Sequence, residues 1–175
     1  GNEISIKDLS IMIKDIIIEG LDRCGKSTQI QNLWTYLNSV YPTGCNIVRG
    51  DKMVTEIVSN TSDHKYLYAN SINMTFQNMV NARENNFQGI RLYDRLHLSE
   101  VVYGNKYRKY NTDHVYKIEN SVEKYDNVYL LTFIDDVENL YQRDDGLGFT
   151  SDTNEMKDEI LRFVGAHNDS SIKNK

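Results

Sequence analysis

Proline is nearly absent from this chain: Pro42 is the only one in 175 residues. With 39% apolar and 26% charged residues, that scarcity excludes a Pro-rich or disordered polymer and marks a folded, soluble chain. Cysteine is scarce too. Cys24 and Cys45 make no disulfide framework, and neither sits in a zinc-ligand spacing. No apolar run approaches the roughly 20 residues that span a bilayer. Residues Gly1 to Lys14 lack the basic-then-apolar order of a secretory signal. A basic excess is also missing. The chain has 20 Lys and Arg against 25 Asp and Glu, a net charge of −5 and a pI of about 5.4. That balance argues against a general grip on nucleic acid or on an anionic membrane. The expectation is an intracellular, cytoplasmic protein whose sequons at Asn60 and Asn73 go unused. Met12 is an expected native start, with Gly1 a cleavage remnant. Abundant Asn, Ile and Lys with scarce Ala and Pro fit an AT-rich genome of viral type, which would place the protein in a host cytoplasm.

What is present reads as one domain spanning residues 1–175, long enough to bury roughly two-thirds of its unfolded surface. Four short apolar segments predict parallel strands: Met12 to Glu19, Asn46 to Arg49, Ile90 to Tyr93 and Asn127 to Ile134. Such runs are apolar on both faces, as in a sheet covered on two sides. Helical spacing joins Ile30, Leu33, Trp34, Leu37, Val40 and Tyr41 on one face, and Pro42 and Gly44 end that helix. Further helices are predicted over Lys65 to Arg83, Val137 to Arg143 and Met156 to Val164, with a mobile loop at Asp144 to Thr153. Asp135-Asp136 reads as a helix-capping turn.

The most specific signal is Gly20-Leu21-Asp22-Arg23-Cys24-Gly25-Lys26-Ser27-Thr28, a phosphate loop set between a predicted strand and a predicted helix. Gly20 and Gly25 let the backbone curl so that its N–H groups converge on phosphate oxygens. The helix behind them directs its positive end at the same anion. Lys26 is placed to reach the terminal phosphates, and Ser27 to hold Mg²⁺. Cys24, at a helix N-terminus, is expected to be an acidified, alkylation-sensitive thiol. A nucleoside triphosphate site follows. The guanine-reading Asn-Lys-x-Asp of a GTPase is missing, because Asn105-Lys106-Tyr107-Arg108 lacks the aspartate. A small kinase is the better class.

The loop from Glu19 to Gln29 resembles that of thymidylate kinases, a family of P-loop nucleoside monophosphate kinases. The block Asp94-Arg95-Leu96-His97-Leu98-Ser99-Glu100-Val101-Val102-Tyr103 resembles the same family's Asp-Arg motif with its following Ser and Tyr. Arg49 and the 144–153 loop fall in the family's order, so the resemblance runs from Met12 to about Val164. It implies a three-layer αβα sandwich on a short parallel sheet of about four strands with a mobile lid, in a compact or truncated member whose last strand is missing near Ser170 to Lys175. It implies ATP as donor, Mg²⁺ as cofactor, a deoxynucleoside monophosphate (dTMP first) as acceptor, and pairing into a homodimer as in many relatives.

By resemblance, residues Gly20 to Thr28 bind the ATP phosphates, with Arg143 at the lid's edge nearer the donor. Arg49 and Arg95 hold the acceptor phosphate. Asp94 positions Mg²⁺ with Ser27. Asp22 contacts the acceptor's sugar hydroxyl, Ser99 contacts phosphate or the loop, and Tyr103 lies under the deoxyribose. Lys26, Arg23 and Arg95 are the expected catalytic cations, Arg23 because the 144–153 loop has no Lys or Arg. The second helix departs from the family pattern, since Tyr66 to Asn73 contains no Arg. Tyr68 is expected to stack on the base, with Asn70 or Asn73 reading its edge. Gly104 stands where bacterial relatives often place Gln. Lys106-Tyr107-Arg108-Lys109 reads as a basic cluster that attracts nucleotides, or as a solvated surface. Two rival readings are a deoxynucleoside kinase acting on a sugar hydroxyl and a catalytically silent ATP-binding partner.

Overall fold

A computed structural model describes residues 13–21, 24–49, 64–142 and 152–175. Its elements run in the order β1 (Ile13–Gly20), α1 (Lys26–Val40), β2 (Cys45–Val48), α2 (His64–Glu84), β3 (Gly89–Asp94), α3 (His97–Lys106), α4 (His114–Glu119), a 3₁₀ turn (Asn120–Val122), β4 (Val128–Phe133), α5 (Val137–Gln142) and α6 (Thr153–Asp169). The four strands pair in parallel in the order β2-β3-β1-β4. Ile18 stands beside Asp94 on β3, and Ile17 beside Leu130 on β4. The chain thus builds outward on both sides of β1, and sheets of this kind place ligands at the carboxyl ends of their strands beside such a reversal.

The pleat divides the core. Ile17, Tyr93 and Leu130 join Phe76, Met79, Leu98 and Phe163 on the side of α2, α3 and α6. Ile18 and Leu92 join Ile30 and Leu37 of α1 on the other. Each large apolar side chain so buried contributes roughly 1.5–3 kcal/mol over exposure. On the expected face of α1, Leu33, Trp34 and Tyr41 are half-buried, while Val40 is exposed. On α2, Phe76 and Met79 are fully buried as the spacing predicts, and Ile72 and Ala82 join them.

Two buried carboxylates brace the sheet. Asp15 of β1 accepts from Arg83 Nη1 at 2.6 Å, Arg91 Nε at 2.8 Å and the Tyr93 hydroxyl at 2.6 Å. Glu119 of α4 accepts from His97 Nε2 at 2.5 Å, Ser170 Oγ at 2.7 Å and the Ser171 N–H at 2.7 Å. That second set pins the C-terminal tail. The tail adds a single parallel bridge between Asn174 and Tyr129, where the Leu130 N–H donates to the Asn174 carbonyl at 2.8 Å. Ile172, in the same tail, is buried.

Helices α3 and α4 were not expected from the sequence. Leu96, the residue before α3, offers no side-chain cap, and Arg95 has a left-handed φ of 66°. Instead Glu19, at the end of β1, accepts from the N–H groups of Leu96 and Ser99, both at 2.5 Å. The helix is capped from another strand, so its own residues carry no start signal. Elsewhere local capping holds: Asp136 Oδ1 accepts from the Asn139 N–H at 2.8 Å, and Asp152 Oδ1 from those of Asn154 and Glu155 at 2.8 and 3.0 Å. No helix among the described residues is long and apolar enough to cross a membrane.

Candidate functional site

The phosphate loop begins where β1 meets β4. Gly20 has φ 140°, and a Cβ there would stand 2.2 Å from the Phe133 carbonyl oxygen, so only glycine fits. Gly25, at φ 81°, turns the chain into α1 without a side-chain cap. Gly25 thus offers the N–H groups of Ser27 and Thr28 no side-chain cap, at the end of the helix that favours an anion. Ser27 and Thr28 are exposed on that turn, and Lys26 is buried. Cys24 donates its thiol to the Leu21 carbonyl at 2.8 Å. Burial pushes that thiol upward, against the opposing pull of the Lys26 N–H and the Arg95 charge. The expected acidified thiol is therefore corrected: desolvation outweighs the helix end. Asp22, Arg23, Arg143 and residues 144–151 of the expected lid lie outside the described residues.

Across the strand ends, Lys26 Nζ pairs with Oδ1 of Asp94. Arg49 Nε lies 3.3 Å from the other carboxylate oxygen, with most of its side chain in water. Arg95 Nη1 donates to the Gly20 carbonyl at 2.7 Å and to Ser99 Oγ at 3.3 Å. The left-handed backbone of Arg95 turns its side chain back toward the phosphate loop, while its own N–H donates to Ile18 at 2.9 Å. Behind it, Ser99 Oγ donates to Glu19 at 3.1 Å. Burial raises the Glu19 carboxyl above its ordinary range, opposed by the His97 charge and the Leu96 N–H.

A cavity of about 300 Å³ opens beside Arg95, at the small end for a ligand pocket. Four residues given acceptor-site roles from the sequence line it together: Tyr68, Arg95, Ser99 and Tyr103. Tyr103 packs edge-on against Phe163 at 5.6 Å, and the Arg95 guanidinium lies 5.6 Å from the Tyr103 ring. Asn70 and Asn73 are exposed and do not line the cavity. The face of α2 that does so runs through Tyr68, Ser71, Ile72 and Thr75, at helical spacing.

The basic cluster resolves into separate roles. Lys106 is buried and paired with Glu155 at 2.7 Å and Asp158 at 3.0 Å, which fastens α3 to α6. Tyr107 donates its hydroxyl to Glu159. Arg108 lines the cavity, 4.3 Å from the Tyr68 ring centre, and its Nη2 donates to Glu100 at 2.6 Å. The surface reading of this run is thus corrected for Lys106 and Arg108. Glu100 is itself buried, and burial raises its carboxyl despite hydrogen bonds from Tyr110 and Arg108. Sequence reading gave Glu100 no role and placed Arg108 only in a cluster that attracts nucleotides, so their pairing in the cavity wall was missed. The one signal for them was Gly104, whose missing side chain leaves room for Glu100 and Tyr110.

The arrangement can hold two anions side by side: one at the start of α1, the other near Arg95. Ser27 and Asp94 supply hydroxyl and carboxylate oxygens, hard donors suited to Mg²⁺. Among the described residues no cluster of three or more His, Cys, Asp or Glu could hold a metal.

No protein-family profile matches the chain, and no curated protein matches it in sequence. Solved structures do resemble it. The YorR protein of Bacillus subtilis, in complex with phosphorylated GDP, has a TM-score of 0.65 and 18% identity, covering 93% of this chain and 84% of that one. Thymidylate kinase from Ehrlichia chaffeensis has a TM-score of 0.57 and 14% identity, covering 88% and 89% respectively. At these identities the likeness is one of fold: an α/β architecture with a four-stranded parallel sheet flanked by helices.

Proposed function

We propose that the protein is a nucleoside monophosphate kinase, moving the γ-phosphoryl group of ATP to a deoxynucleoside monophosphate, with dTMP the acceptor favoured by its motifs. The observation that carries this reading is the Arg95 bond to Gly20. It joins a cavity lined by aromatic residues directly to the phosphate loop, at 2.7 Å. Uncharged acceptors need no second cation at that junction. An acceptor phosphate does, above all in a protein of net charge −5.

In this reading the loop N–H groups and Lys26 hold the ATP phosphates, with Arg143 near the donor. Lys26 leaves Asp94 for the terminal phosphates once ATP enters. Arg49 and Arg95 hold the acceptor phosphate, Asp22 contacts its sugar hydroxyl, Ser99 braces Arg95, and Tyr103 packs beneath the sugar. Mg²⁺ would be held by Ser27 and Asp94 and would supply neutralisation of phosphate charge. The bond between the γ-phosphorus and its bridging oxygen breaks to leave ADP, and one forms to an acceptor phosphate oxygen. That oxygen is already anionic near neutral pH, so no strong general base is required. The catalytic work is alignment and charge stabilisation by Lys26, Arg95 and Arg23. A YorR structure holding a guanine nucleotide and a thymidylate kinase of similar fold both support a nucleotide acceptor.

A coupled ADP-release assay over dTMP, dUMP, dGMP, dAMP, dCMP and thymidine tests the proposal. Release stimulated by a monophosphate is the expected result. Release stimulated only by thymidine would assign a nucleoside kinase, and ATP binding without transfer to any acceptor would assign a silent partner protein.

A further inference from the structure

The end of the cavity formed by Tyr68, Glu100 and Arg108 has a polar pattern that the phosphate chemistry leaves unused. The Arg108 guanidinium stacks 4.3 Å from the Tyr68 ring centre, as planar guanidinium groups do on aromatic faces. Two bonds fix it there: Nη2 to Glu100 Oε2 at 2.6 Å, and Nε to the Tyr110 hydroxyl at 3.1 Å. Tyr110 in turn donates to the other oxygen of Glu100. Among the described residues Nη1 makes no hydrogen bond, and the two bonds received by Glu100 use two of its roughly four lone-pair sites.

Gly104 makes this arrangement possible. A Cβ there would stand 2.5 Å from Glu100 Oε1 and 2.9 Å from the Tyr110 ring. A cationic donor and an anionic acceptor are thus held side by side on the cavity wall, with capacity to spare.

We propose that Arg108 and Glu100 read the base of the acceptor nucleotide, selecting a carbonyl oxygen beside a ring N–H, the edge that thymine and guanine share. Arg108 donates to that carbonyl, and Glu100 accepts from the ring N–H. Guanine adds an amino group as a second donor to the carboxylate, and its N7 as a second acceptor for the guanidinium fork. Adenine and cytosine reverse both contacts. Each sets an amino donor against the guanidinium and a ring-nitrogen lone pair against the carboxylate. The inference rests on the kinase reading only in taking this cavity as the acceptor site.

Calorimetric titration of the wild-type protein with dTMP, dGMP, dAMP and dCMP, without ATP, tests it. At least one of dTMP and dGMP should bind about tenfold or more tighter than both dAMP and dCMP, and the tighter of the two identifies the acceptor base. Equal affinity for all four, a preference for dAMP or dCMP, or no binding would overturn the proposal. Base preference without phosphoryl transfer would leave it standing and sink the kinase reading instead. Glu100→Gln should erase the preference, because an amide can present either polarity. Arg108→Lys should erase it too, since the fork is lost while the charge stays. Both are checked for a cooperative thermal transition. A folded variant that loses affinity equally for all four nucleotides would assign the pair a structural role and overturn the proposal.

Discussion

Lys26, the first residue of α1, is ion-paired with Asp94, the last residue of β3, although 68 positions separate them in sequence. The pair closes the gap between the phosphate loop and the Asp-Arg turn, and both side chains are largely shielded from water. Without nucleotide, each neutralises a charge that would otherwise be costly to bury. Lys26→Ala is therefore expected to lower turnover by roughly 100-fold or more and to weaken ATP binding. Asp94→Asn, which keeps the shape, should lower turnover by a similar order. Steady-state kinetics at varied ATP checks both, and wild-type rates from either variant would remove the pair from the mechanism.

Gly20 is fixed by space as well as by conformation. Its would-be Cβ meets the Phe133 carbonyl at 2.2 Å between two hydrogen-bonded strands, β1 and β4, that cannot separate cheaply. Gly20→Ala should destabilise the fold by roughly 3 kcal/mol or more, read as a shift in the urea unfolding midpoint. A midpoint equal to that of the wild type would contradict the packing described at this turn.

Asp15 has no access to solvent and answers two arginines and a tyrosine. Asp15→Asn leaves Arg83 and Arg91 without their counter-charge. The expected loss is roughly 3 kcal/mol, at the lower end for broken buried pairs, because a quarter of the Arg91 side chain stays in water. Chemical denaturation checks this. Since Asp15 sits far along β1 from the phosphate loop, the kinetics of the folded fraction should be unchanged.

Glu119 sets part of the response to acid. Burial alone would raise its carboxyl, but hydrogen bonds from His97 and Ser170 and the Ser171 N–H outweigh burial and hold it below its ordinary value of 4.5. A carboxyl lowered in the folded state contributes stability above its unfolded value. That contribution disappears as pH falls through the lower, folded value. Wild-type stability should therefore drop more steeply than that of Glu119→Gln on acidification from about pH 6 to pH 3. Parallel profiles in urea titrations would show that Glu119 is not held low.

How far this was legible from residues alone depended on whether the determinants were local. The strand-loop-helix unit around Gly20 to Thr28 was readable because its glycines and apolar neighbours are contiguous. The α1 face was readable because Ile30, Leu33, Trp34 and Leu37 keep one period. Helix α3 was not, since its cap is Glu19 on β1 and its inward face carries Ser99 and Glu100 among the apolar residues. The cluster Lys106 to Lys109 read as attracting nucleotides or as solvated surface, because charge says nothing about direction. Lys106 is drawn inward by α6 and Arg108 by Glu100, and neither partner is visible as a pattern along the chain. Asn70 and Asn73, expected to read the base, do not line the cavity for a related reason: the α2 register is set by burial of Ile72, Phe76 and Met79, which leaves both asparagines exposed.

Phosphoryl transfer between two anions clamped on either side of Arg95 is the chemistry to which the proposed site amounts. The most direct measurement incubates the protein with ATP labelled at the γ-phosphate, Mg²⁺ and each deoxynucleoside monophosphate, and locates the label by chromatography. Label is expected in the β-phosphate of a deoxynucleoside diphosphate, with Arg95→Ala abolishing that product while ATP binding persists. Label appearing only in inorganic phosphate, or only in a monophosphate made from added nucleoside, would contradict it.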